Sequence, residues 1–96
     1  MKMNCNKNGS ELIVELDGRL DTLTAPELES FLVKHYDGVE SLTFHCEKLV
    51  YVSSAGLRVL LTAHKRMMGA MKLTNVCELV MEVFEMTGFA DVFDIA

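Results

Sequence analysis

The chain has no tryptophan, one proline and three cysteines among its 96 residues. Cys5, Cys46 and Cys77 are scattered, odd in number and without a CxxC spacing. They read as reduced thiols and offer no zinc-type ligand set. A reducing compartment follows, and the cytoplasm is the expected location. No apolar run reaches the roughly 18–20 residues of a membrane span. Met1 to Asn8 lack the apolar stretch of a secretory signal. A membrane is not an expected partner.

Positive charge is also scarce. Lys and Arg number 9 against 14 Asp and Glu, a formal net charge of −5. Phosphate backbones need a basic footprint, so nucleic acid is a poor partner. His64, Lys65 and Arg66 cluster locally and read as the solvated face of a helix.

Motifs for catalysis are missing as well. Neither serine of Ser53-Ser54 sits in a G-x-S-x-G elbow. Ser54 and His64 lie ten residues apart in one helical pattern, about 15 Å along the axis. His45 and Cys46 are adjacent, so in a strand they point to opposite faces. There is no GxGxxG and no GxxxxGK[ST], so no nucleotide cofactor is expected. No metal site and no enzymatic activity are expected.

What the chain does have is an alternation of strand and helix patterns in a length that suits one domain, residues 1–96. Half of the residues are apolar, enough for a core. Residues 2–6 form a weak first strand, and Asn8-Gly9 turns it. Residues 11–16 form a second strand, closed by Asp17-Gly18. Its alternation sets Leu12, Val14 and Leu16 against Ile13, Glu15 and Asp17, as one covered and one polar sheet face require.

Thr24-Ala25-Pro26-Glu27 then opens a helix, with Thr24 as cap and Glu27 reaching back to it. Leu28, Phe31, Leu32 and His35 give its apolar stripe, and Asp37-Gly38 stops it. Residues 39–46 supply a strand with Leu42, Phe44 and Cys46 on one side. Val50-Tyr51-Val52 is a short apolar stretch ending at Ser53-Ser54. Leu57, Leu60, Leu61, His64 and Met68 mark a second helix. Residues 71–76 form another strand. Asn75 caps a third helix with Glu78, whose buried face is Leu79, Val83 and Phe84, and Gly88 ends it. Phe89, Val92, Phe93 and Ile95 make an apolar tail, read as a last helical turn and an edge strand. The order predicts an α/β fold: a mixed β-sheet with helices packed mainly on one face.

Ser53-Ser54-Ala55-Gly56 joins a strand end to a helix start. One serine can be the N-cap, which accounts for only one of the two. The free amides of a helix start favour negative charge. A phosphate there would be accommodated, would add about −1.5 to −2 charge, and would change what docks without unfolding the domain.

Three segments, taken together, resemble the STAS domains of anti-sigma factor antagonists. They are Gly18-Arg19-Leu20-Asp21-Thr22-Leu23-Thr24-Ala25-Pro26-Glu27-Leu28, Tyr51-Val52-Ser53-Ser54-Ala55-Gly56-Leu57-Arg58-Val59-Leu60-Leu61, and Phe84-Glu85-Met86-Thr87-Gly88-Phe89. The resemblance covers residues 2–96. It implies a STAS-like fold and a partner-switching role in bacterial transcription regulation. The unmodified form would bind an anti-sigma factor with serine kinase activity, phosphorylation would release it, and a serine phosphatase would restore it. The phosphoacceptor maps onto Ser54. The partner surface maps onto Asp21, Thr22, Ser53, Ser54, Ala55, Gly56, Leu57 and Arg58. Two positions depart from the pattern. Ser53 stands where many members carry aspartate, and His45 replaces an acidic residue expected near the switch. A second reading keeps the binding module without the switch, for a regulator in a signalling or secretion pathway.

Overall fold

The computed structural model describes residues 1–96. The elements alternate as the patterning predicts. They are β1 (Lys2–Asn8), β2 (Glu11–Leu20), α1 (Ala25–His35), β3 (Ser41–Val52), α2 (Ser54–Arg66), β4 (Met71–Thr74), α3 (Glu78–Thr87) and β5 (Asp94–Ile95). A 3-10 turn at Phe89–Asp91 precedes β5. The strands form one sheet in the order β1-β2-β3-β4-β5. β1 pairs antiparallel with β2 through a Gly9-Ser10 turn, one residue past the expected Asn8-Gly9, because Asn8 stays in the strand opposite Glu11; every later pair is parallel. The mixed sheet therefore has a hairpin at one edge and crossover helices behind the rest.

The alternation predicted for β2 is present and sets the layers. Leu12, Val14 and Leu16 are buried with Leu42, Phe44 and Cys46 of β3 and Met71 and Leu73 of β4. Leu28 and Leu32 of α1, Leu57 and Leu60 of α2, and Val80 and Phe84 of α3 cover this face. The opposite face carries no helix and stays polar. Thr43 Oγ1 donates to Glu11 Oε2 at 3.2 Å, and Thr74 Oγ1 lies 2.9 Å from His45 Nδ1.

Several boundaries differ from the sequence expectation. Asp17-Gly18 does not close β2, which continues to Leu20. Gly18 has φ +113°, a conformation that reads as a turn in sequence but here sits inside the strand. Val50-Tyr51-Val52 is not a separate stretch but the end of the 12-residue β3. β3 gains two residues on β2, one between His45 and Lys48 and one between Leu49 and Tyr51. These bulges change its inward spacing from every second residue to every third, at Cys46, Leu49 and Val52.

The helix ends differ too. Thr24 makes no side-chain cap bond to α1. Asn75 does not cap α3; it has φ +55°, and Cys77 occupies the cap position. Phe84 is buried on α3 as expected and Val83 is partly buried against the core, but Leu79 is 56% exposed and Val80 takes its place on the buried face. Met68 is exposed past the end of α2, and Met67 is the buried residue. Gly88 does end α3 in the left-handed conformation, with φ +82°. Most of the apolar tail packs inward: Phe93 is buried, stacked on Phe89 and edge-on to Phe84, while Val92 is exposed.

Candidate functional site

β2 and β3 are parallel, so both end on the same side of the sheet, with Leu20 opposite Val52 as the last pair. Each chain then leaves for a helix. The β2–α1 loop and the start of α2 are thereby set side by side at the carboxyl ends of two neighbouring parallel strands, where α/β sheets usually bind ligands. The Ser53 amide donates to the Leu20 carbonyl at 2.9 Å and ties the two segments together.

Gly56 permits this closeness. A β-carbon there would lie 2.7 Å from Leu20 Cγ and 2.8 Å from the Leu20 carbonyl oxygen. Only a hydrogen fits between the first turn of α2 and the end of β2. Gly56 and Leu57, both placed on the partner surface by the resemblance, are buried. Their part is to seat α2, and they present no side chain to a docked protein.

The two serines have different surroundings. Ser53 leaves β3 with extended backbone, φ −93° and ψ 176°, and its side chain accepts from the Gly56 amide at 3.3 Å. It is the N-cap. Ser54 is the first residue of the helix, is exposed, and its hydroxyl bonds to nothing in the chain. The first turn of this 13-residue helix holds no acidic residue. Ser54 Oγ therefore stands at the positive end of the helix dipole with no carboxylate beside it in that turn.

The neighbouring loop is pinned by Asp21. One carboxylate oxygen accepts from the Leu23 amide at 3.0 Å and the Thr24 amide at 3.1 Å. Thr24 Oγ1 accepts from the Asp21 amide at 2.8 Å and donates to the Arg19 carbonyl at 2.7 Å. This Asx-type turn takes the place of the capping box expected from Thr24 and Glu27. The Thr24 amide foremost, then the Leu23 amide, the Thr24 hydroxyl and Arg19, hold the Asp21 carboxyl below its ordinary range against the opposing effect of desolvation. Arg19 Nε lies 3.8 Å from the other carboxylate oxygen, and its guanidinium sits 4.2 Å from the centre of the Tyr51 ring.

The pinned loop presents Thr22 and Leu23 to solvent, Leu23 with 83% of its surface exposed. Thr22, Ala25, Pro26 and Glu29 on one side and Ala55, Arg58 and Val59 on the other line a shallow cleft of about 150 Å³. The structure thus gathers Asp21, Thr22, Ser53, Ser54, Ala55 and Arg58 into one surface. Arg19, Leu23 and Tyr51 carry no assigned role in the sequence pattern, and Thr24 is expected there only as the cap of α1. Arg19 and Tyr51 meet as cross-strand partners near the ends of β2 and β3 only because of the two bulges in β3, so no local pattern marks them as a pair.

His45 does not belong to this surface. It faces the open side of the sheet beside Thr74, seven residues before the end of β3 and roughly 20 Å from Ser54. Its expected place near the switch is corrected by the length of the continuous strand. Cys46, next in the chain, points the other way into the core. Burial, with the Cys77 thiol nearby, pushes its pKa up to about 12. All three thiols are free, and no three His, Cys, Asp or Glu side chains stand together as a metal site would need. No helix is long and apolar enough to cross a membrane.

The layout defines a class of α/β domain that offers a helix start and an adjoining pinned loop as one exposed surface. The STAS domain pattern matches residues 2–96, and the chain belongs to the STAS domain family. It is 36% identical over 100 residues to BtrV of Bordetella bronchiseptica, named as an anti-sigma factor antagonist, covering all of this chain and 86% of that one. It is 27% identical over 99 residues to the anti-sigma-B factor antagonist of Bacillus subtilis, covering all of this chain and 91% of that one. Among solved structures, the anti-sigma factor antagonist SpoIIAA in its unphosphorylated form superposes with a TM-score of 0.83 at 17% identity, over 99% of this chain and 88% of that one. The STAS-like fold expected from the three motifs is the fold observed.

Proposed function

We propose that this protein is an anti-sigma factor antagonist, with residues 1–96 acting as one STAS unit that docks and is switched at Ser54. The unmodified surface around Asp21, Thr22, Ser54 and Arg58 binds an anti-sigma factor that is also a serine kinase, and so frees a sigma factor. The kinase transfers the γ-phosphoryl group of ATP to Ser54 Oγ. The hydroxyl proton is lost and ADP leaves. The phosphorylated form releases the partner, and a serine phosphatase hydrolyses the phosphoester with water to return serine and inorganic phosphate.

One observation carries this reading: Ser54, and not Ser53, is the exposed, unbonded hydroxyl at the positive end of α2. A phosphate there meets free helix amides and displaces no buried contact. The names of the two curated relatives support the same role. Incubation with the cognate kinase and labelled ATP tests it. Label is expected on Ser54 in the wild-type protein and absent from S54A. Equal labelling of S54A would place the acceptor elsewhere.

A further inference from the structure

We propose that Arg58 is the intramolecular counter-ion of a phosphate on Ser54, and that this pairing withdraws Arg58 from the docking surface. The inference rests on Ser54 being the residue that is modified. Ser54 and Arg58 are four residues apart on α2 and both exposed, so their side chains are neighbours one turn apart. In the unmodified protein Arg58 has no ion pair, since the one salt bridge joins Arg19 to Asp21. Its guanidinium also makes no hydrogen bond within the chain. It borders the cleft between α1 and α2, free to meet a carboxylate or carbonyl of a docked protein.

The other cations are placed or occupied differently. Arg19 lies over Tyr51 and beside Asp21. Lys65 and Arg66 are eleven and twelve residues along the helix from Ser54, about 16–18 Å away, and Arg66 lies over Tyr36. Arg58 alone is a free cation within one turn of Ser54. A neutral serine hydroxyl gives it little reason to turn that way. A phosphate offers three acceptor oxygens, and the planar guanidinium fork suits them. Release of the partner then has two parts: a negative charge appears, and a positive contact is taken away.

Pairing favours the dianion, so it lowers the second pKa of the phosphoserine. A protein carrying phosphoserine installed at position 54 during translation needs no kinase, and its phosphorus resonance can be titrated directly. Removing Arg58 (R58A, or R58Q where R58A folds poorly) is expected to raise that pKa by about 0.3 units, the size of an exposed i,i+4 pair. R58K should keep part of the difference. K65A removes the same charge about 16 Å away, beyond the screening length, and should leave the value unchanged. An R58A value equal to wild type, or a K65A shift as large as that of R58A, overturns the inference. Failure of the kinase to label Ser54 would instead count against the proposed switch and leave this titration result standing.

Discussion

Replacing Gly56 with alanine sets two physical effects against each other. Helix propensity favours the change by up to about 1 kcal/mol, because glycine is the poorest ordinary helix former. Packing opposes it. The added methyl would sit 2.7 Å from Leu20 Cγ and 2.8 Å from the Leu20 carbonyl oxygen, closer than real contacts allow. The side chain could shift, but the carbonyl belongs to the last residue of β2 and accepts the Ser53 amide. Relief therefore requires the start of α2 to move off the sheet. Overpacking of this kind costs about 1–3 kcal/mol, and losing the Ser53–Leu20 hydrogen bond adds about 1 kcal/mol. A net loss of about 2 kcal/mol is expected, a fall in Tm of roughly 8–16 °C for a chain of this size. Thermal or urea unfolding measures it. A G56A protein as stable as wild type, or more so, would refute the account of how α2 is seated.

The two serines should separate in the same assay. S53A loses the cap and should cost about 1 kcal/mol, while S54A, with no hydroxyl contact to lose, should stay within about 0.5 kcal/mol. On α3, F84A should cost about 3–5 kcal/mol and L79A under about 0.5 kcal/mol, as urea midpoints would show; equal effects would contradict the buried face described. Asp21 should titrate below its ordinary value of 3.8 in a carboxyl NMR titration. Because the folded pKa is the lowered one, its contribution is present above the unfolded value and is lost as pH falls through the folded value. Protection of the Leu23 and Thr24 amides, taken relative to their intrinsic exchange rate at each pH, should fall over that acid window, and D21A should lack that protection already at neutral pH.

Much of this architecture is written in residue patterns that act locally. The alternation Leu12, Val14, Leu16 sets the covered face of β2, Gly88 acts where cap chemistry predicts, and the first hairpin turns at Gly9-Ser10, one residue past the Asn8-Gly9 signal. What escaped the pattern depends on partners far along the chain. Gly18 reads as a strand end because glycine with positive φ marks turns, yet pairing with Leu49 carries β2 onward. The bulges in β3 replace the period of two by three, which hides a single long strand as two pieces. The one-position error on α3, Leu79 for Val80, has the same source, since the buried face is chosen by the sheet rather than by the helix alone. At the site, a helix start beside a loop was legible from the serines and the resemblance. The division of labour was not. It took the Ser53–Gly56 and Asp21–Leu23 hydrogen bonds to make Ser53 the cap, Asp21 the loop's anchor and Ser54 the free hydroxyl.

The central claim is that charge at Ser54 governs docking, and affinity for the partner kinase measures it most directly. Titration calorimetry with unmodified protein, S54A and protein carrying phosphoserine at position 54 would suffice. S54A should bind within about threefold of wild type, since its hydroxyl makes no contact that shapes the surface. Phosphoserine should weaken binding about 100-fold, in keeping with the several kcal/mol that a misplaced charge costs at an interface. Equal affinity of the phosphorylated and unmodified proteins would contradict the account.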